Sequence, residues 1–154
     1  MAFLINATVE PHYPLKRSQL KKAAAVALEV ADVKGDVRVD INVIGDRKMR
    51  ELNREFRGID KSTDVLSFSF EVADSKTKKF VNTPDPKYLN LGDVIISYPQ
   101  LLSRAAKENM LVDDMTNLLV IHGILHLLGF DHEKPQEAVV MEKLEDQILQ
   151  TLAK

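Results

Sequence analysis

Eleven residues, HGILHLLGFDH from His122 to His132, hold three of the chain's four histidines. His122 and His126 are four apart. On a helix that spacing puts both side chains on one face, one turn apart, where they can share one metal ion. Gly129 follows three residues later, and a glycine there can take the left-handed conformation that ends a helix and reverses the chain. The reversal would bring His132 back as a third nitrogen. Three protein ligands leave a fourth position for water, the arrangement of a catalytic rather than a structural zinc site. A lone histidine on an apolar helix is more often a hydrogen-bonded core residue, so the weight falls on the full pattern of pair, glycine and third histidine. Each ligand should donate its other ring N–H to a carboxylate or carbonyl. Asp131 and Glu133 flank His132 and are candidates, although Glu133 reads slightly better as a solvated loop charge.

Gly123 stands where an H-E-x-x-H peptidase carries the glutamate that deprotonates the zinc-bound water and then protonates the leaving amine. Glycine can do neither. An amide leaving group needs that proton, whereas a phosphodiester's alkoxide can also be stabilised by nearby cations. The substitution therefore counts against peptide hydrolysis and less against phosphoester cleavage.

Cations are available upstream. Arg47, Arg50, Arg54 and Arg57 recur at i, i+3, i+7 and i+10, within about 80° of one another on a helix. Met49, Leu52 and Phe56 form an apolar stripe on nearly the opposite side. Guanidinium groups match phosphate oxygens bidentately, so such a row suits a sugar–phosphate backbone. For Arg47 and Arg50 a solvated face with local ion pairs to Glu51 and Glu55 is an equal alternative. Arg57 differs, because it ends the helix in FRGIDKSTDVLSF, where a glycine-containing loop leads into a strand and can aim the side chain into a cleft.

The elements that must position these groups follow from periodicity. Strands are predicted over Phe3–Val9, Val37–Ile44 (half-buried, from its alternation), residues 65–70 and residues 93–98. Helices are predicted over Leu15–Val33, Asp46–Phe56 with Asp46 as N-cap, Pro99–Lys107, Val112–Leu128 and Pro135–Leu152. Residues 72–90, with scattered charge, Pro84 and Pro86, read as a surface excursion. The 154 residues suit one domain, spanning 1–154, with an α+β fold in which about five helices pack on a small mixed sheet of roughly four strands.

Composition bounds the rest. The chain has no cysteine, so a transition metal must rest on histidine and carboxylate. Net charge is −2, which excludes a globally basic nucleic-acid binder and requires any polyanion to find a local patch. The N-terminus lacks the pattern of a signal peptide, and no window approaches the roughly 18 apolar residues of a membrane span. A cytoplasmic protein that engages neither membrane nor DNA is the expectation.

Four stretches together resemble the YbeY family of ribosomal-RNA maturation factors, which are metal-dependent single-strand endoribonucleases. The family's HGxLHLxGYDH is present as HGILHLLGFDH, with Phe130 for tyrosine. Its arginine ahead of PTDVLSF is present as Arg57 before STDVLSF, with Ser62 for proline. Its LGDI-type strand reads Leu91-Gly92-Asp93-Val94, and its Met-x3-Glu-x2-Ile-Leu run reads Met141, Glu145, Ile148 and Leu149. The match runs in order from about residue 36 to 150. The resemblance implies a zincin-like fold, one Zn2+ (or another divalent transition metal) per chain on His122, His126 and His132, and a functional arginine at Arg57. It further implies single-stranded ribosomal RNA as substrate, with cleavage in processing of the 16S 3′ end and in ribosome maturation and quality control. The small subunit or ribosome and its assembly factors are the implied partners.

On that reading the metal polarises a phosphate oxygen or activates a water, and Arg57 stabilises charge on the phosphorus oxygens. Attack by a substrate 2′-hydroxyl, leaving a 2′,3′-cyclic phosphate, is the other route. Two rivals stand beside it. One is a zinc peptidase or amidase drawing its glutamate from elsewhere, such as the last helix. The other is a non-catalytic ribosome-assembly or RNA-binding factor with a structural metal and a docking helix built on Arg47, Arg50 and Arg54.

Overall fold

The alternation Val37-Arg38-Val39-Asp40-Ile41 sends successive side chains to opposite faces of a strand, and both faces are covered. In the computed structural model, which describes residues 2–69, 87–130 and 133–154, this strand lies inside a four-stranded sheet. The strands are β1 (Phe3–Val9), β2 (Val37–Ile44), β3 (Val65–Ser69) and β4 (Leu89–Ser97), in the order β1-β2-β4-β3. β1, β2 and β4 run parallel, and β3 joins antiparallel at the edge. Helices α1 (Arg17–Val30), α2 (Asp46–Arg57), α3 (Tyr98–Lys107), α4 (Val112–Leu127) and α5 (Pro135–Ala153) complete an α+β arrangement among the described residues.

Val37, Val39, Ile41 and Val43 of β2, with Val94 and Ile96 of β4, build the main core against α1 and α4. The alanines of α1, Ala23, Ala24 and Ala27, are fully buried and let that helix lie close to α4 and the sheet. α4 is apolar nearly all round because it is packed nearly all round, with Leu119, Ile121, Ile124 and Leu125 fully buried. Each such side chain contributes about 1.5–3 kcal/mol of burial. On the second face α2 lays Met49 and Leu52 over Ile44, Leu66 and Ile95, with Phe56 against Phe68. Among the described residues no single helix is long and apolar enough to cross a membrane.

Several boundaries depart from the sequence reading. β2 is buried on both faces: Arg38 and Asp40 are 6% and 5% exposed, form an ion pair at 3.2 Å, and receive a hydrogen bond from Asn6 Nδ2 to Asp40 Oδ1. Strands flanked by parallel neighbours are covered on both sides, so the alternation marks a buried polar face. Asp93 of β4 pairs with Asp40 in register. Burial and the Asp40 charge push its carboxyl up to about 7, against the pull of Arg38.

β4 starts at Leu89, earlier than expected, because Leu91 is a bulge between the pairs Arg38–Asn90 and Val39–Gly92. The predicted excursion thus ends as strand at Leu89 and Asn90, while residues 72–86 of it lie outside the described residues. α1 is shorter than predicted at its end, because Asp32 takes a positive φ and closes the helix with hydrogen bonds from Asp32 and Val33 to Glu29 and Leu28. Asp46 is not an N-cap. Gly45 holds that position, and the Asp46 carboxylate accepts hydrogen bonds from Gln100 Nε2 at 3.0 Å and Ser97 Oγ at 3.3 Å, tying the start of α2 to that of α3.

Candidate metal and phosphate cleft

α4 carries the histidine pair along the edge strand. The periodicity that aligned them places their rings 4.5 Å apart, with the two Nε2 atoms 3.0 Å from each other. Two imidazole nitrogens bound to one tetrahedral zinc at their usual bond lengths stand about 3.3 Å apart. The pair therefore fits a shared cation closely. Among the described residues no third histidine, cysteine or carboxylate joins it as a metal-ligating group. His132 and Asp131 lie outside the described residues. Gly129 does what its position required: at φ +96° it closes α4 with hydrogen bonds from Gly129 to His126 and from Phe130 to Leu125. Both terminal bonds of a left-handed glycine cap are thus made.

His122 has a partner that neighbouring residues did not suggest. Its Nδ1 lies 3.3 Å from Glu145 Oε1 on α5, and both side chains are mostly buried. Of the two carboxylates that flank His132 in sequence, Asp131 lies outside the described residues and Glu133 is exposed. A signal for Glu145 existed: it sits between Met141 and Ile148, both fully buried, so a carboxylate interrupts the inward stripe of α5.

Gly123 is fixed by packing. A Cβ there would stand 2.5 Å from Val94 Cγ1 and 3.3 Å from Ser67 Oγ, and the Gly123 carbonyl accepts a hydrogen bond from the Ser67 hydroxyl at 3.0 Å. α4 thus seats directly on β3 and β4 through this residue, and a glutamate cannot be accommodated without lifting the helix.

Arg57, Asp64, Val65, Ser67, Ser69, His122 and His126 line one cleft of about 440 Å³. Arg57 makes no ion pair or hydrogen bond with another described residue. The loop behind it is folded back on α2. Gly58 turns left-handed at φ +70°, Asn53 Nδ2 donates to the Lys61 carbonyl at 2.8 Å, and Arg50 grips both oxygens of Asp60 at 2.9 and 3.1 Å. Asp64, the one carboxylate among the described lining residues, is held by Arg104 Nη1 at 2.7 Å and by the Val65 N–H at 2.7 Å.

The four arginines do not share that cleft. Arg47 and Arg50 border a separate depression with Lys61 and Gln100. Arg47 pairs loosely with Glu51 at 3.6 Å, so local ion pairing accounts for these two as well as phosphate binding does. Arg54 is exposed on the same helix face.

A four-stranded α+β domain that sets two imidazoles and a guanidinium along one cleft offers nitrogen ligands for a cation beside a donor for an anionic group. The family described as Endoribonuclease YbeY matches residues 8–153. Proteins named Endoribonuclease YbeY include one from Chloroflexus aurantiacus, 37% identical over 99% of this chain and 97% of its own length. Another, from Acinetobacter baylyi, is 36% identical over 97% and 91%. The solution structure of TM1509 from Thermotoga maritima superposes with a TM-score of 0.58 at 28% identity, covering 96% of this chain and 87% of that one. The chain belongs to the YbeY endoribonuclease family.

Proposed function

We propose that this protein is a metal-dependent, single-strand-specific endoribonuclease. Its proposed substrate is ribosomal RNA, cut during 16S 3′-end processing and ribosome maturation in the cytoplasm, in contact with the small subunit and its assembly factors. Zinc is the proposed metal, with His122, His126 and His132 as ligands. The observation that carries the reading is the 3.0 Å approach of two Nε2 atoms in the cleft that Arg57 also lines.

When bound, such an ion supplies Lewis-acid polarisation and activation of water. The chain supplies the rest. Arg57 binds non-bridging phosphate oxygens and stabilises their charge in the transition state. Arg104 holds the Asp64 carboxylate, so the acid neither competes for Arg57 nor repels the phosphate. Arg47, Arg50 and Arg54 guide the strand along α2. The glycine at 123 supplies no general acid, which suits a phosphodiester better than a peptide.

The test compares wild type, His126→Ala and Arg57→Ala on single-stranded ribosomal RNA fragments, with metal content measured on the same samples. Loss of cleavage in both variants, with metal retained in Arg57→Ala, is the expected result. A 5′-phosphate on the products assigns attack to water, and a 2′,3′-cyclic phosphate assigns it to the 2′-hydroxyl. A His126→Ala protein that unfolds, paired with wild type that binds RNA without cutting it, would point to a structural metal in an assembly factor.

A further inference from the structure

Glu145 touches the histidine pair from outside the cleft. Its Oε1 lies 3.3 Å from His122 Nδ1, while His122 presents Nε2 to His126 Nε2 on the other side of the ring. A carboxylate can only accept a hydrogen bond, so the contact favours the imidazole that carries its proton on Nδ1. A neutral imidazole protonated on Nδ1 has its lone pair on Nε2. The carboxylate is 15% exposed and rides on the buried side of α5 between Met141 and Ile148, so its position is set by core packing.

We infer that Glu145 is a positioning residue for the metal site: from α5 it locks His122 in the tautomer whose Nε2 lone pair points to the side shared with His126 Nε2. It is not the missing general base, because it reaches the imidazole on the nitrogen facing away from the cation position. The inference rests on the metal-dependent reading above, yet it can be tested apart from it.

The experiment uses full-length protein labelled with 15N, stripped of metal, at a pH of about 8 where a typical imidazole is neutral. Long-range proton–nitrogen spectra report the His122 tautomer, and competition against a chromophoric chelator reports zinc affinity. Wild type is expected to show a protonated Nδ1. Glu145→Gln keeps an accepting oxygen and is expected to keep that tautomer, with a smaller loss of affinity. Glu145→Ala is expected to mix the tautomers and weaken zinc about 10- to 100-fold. An unchanged tautomer or unchanged affinity in Glu145→Ala overturns the inference. So does a Glu145→Gln protein that holds zinc as wild type does but loses all turnover, since that behaviour belongs to a base. If wild type takes up no zinc, the metal reading fails, and a His122 that stays Nδ1-protonated only while Glu145 is present still supports the contact.

Discussion

Arg104 Nη1 lies 2.7 Å from Asp64 Oδ2, so a guanidinium on α3 neutralises the carboxylate that lines the cleft with Arg57 and the histidine pair. Removing it exposes a negative charge where a phosphate is proposed to bind. Arg104→Ala should raise KM for RNA severalfold while lowering kcat less. Adding Asp64→Asn should restore much of the loss, because the repelling charge goes with it. Steady-state kinetics on the two variants and the double variant check this, and an additive double variant would contradict it.

Arg57 is expected to act on the transition state rather than on the fold, since it is exposed and makes no ion pair or hydrogen bond with another described residue. Arg57→Ala should leave the melting temperature and metal content unchanged and lower kcat by roughly 10²–10³-fold, the usual effect of losing one preorganised charge donor. Arg57→Lys should recover only part, because an ammonium lacks the planar fork. A melting shift of several degrees in Arg57→Ala would argue for a structural role.

Gly123→Ala tests the seating of α4. Alanine in a helix interior ordinarily gains about 1 kcal/mol over glycine. Here the new Cβ would lie 2.5 Å from a Val94 methyl, and Val94 is fully buried. Overpacking of this kind costs about 1–3 kcal/mol, so the clash should win and the variant should unfold more readily in urea. Val94→Ala in the same chain should recover part of the difference.

Asp93 makes stability depend on pH with a definite sign. Its carboxyl is pushed up to about 7 from an ordinary 3.8. Between those values the folded state holds a proton that the unfolded chain has released, so stability falls as pH rises through that window. At about 1.4 kcal/mol per pH unit, the effect is at most about 4 kcal/mol. Asp93→Asn should flatten the slope. Urea unfolding at pH values of about 5 and 7.5, for both proteins, measures it. Asp46 works oppositely: the Ser62 hydroxyl, with Gln100 and Ser97, holds it below its ordinary range, so its contribution is lost only on strong acidification.

The histidine pair, the glycine stop at Gly129 and the arginine face of α2 were legible in the sequence because each is written in local spacing. Helical periodicity aligns His122 with His126, and the left-handed turn calls for glycine. Contacts between distant segments were not legible. Glu145 reaches His122 across 23 positions, and only its place within an apolar stripe hinted at it. The buried Arg38–Asp40 pair looked like a wetted strand face, since alternation alone does not tell water from a second layer of protein. Asp46 looked like a helix cap and instead bridges two helices. The start of β4 was hidden by Asn90 and Gly92, which spell a loop but build a bulge.

The contact between Gly123 and Val94 also bears on how this scaffold can change its chemistry. The same absent side chain that removes an acid–base group lets α4 settle onto the sheet, and α4 is what carries both imidazoles. Introducing a glutamate would push the helix outward and carry His122 away from Glu145 and the cleft wall. Within this architecture a glutamate at position 123 and the present histidine geometry exclude one another, so acid–base chemistry from that position would require rebuilding the helix–sheet contact.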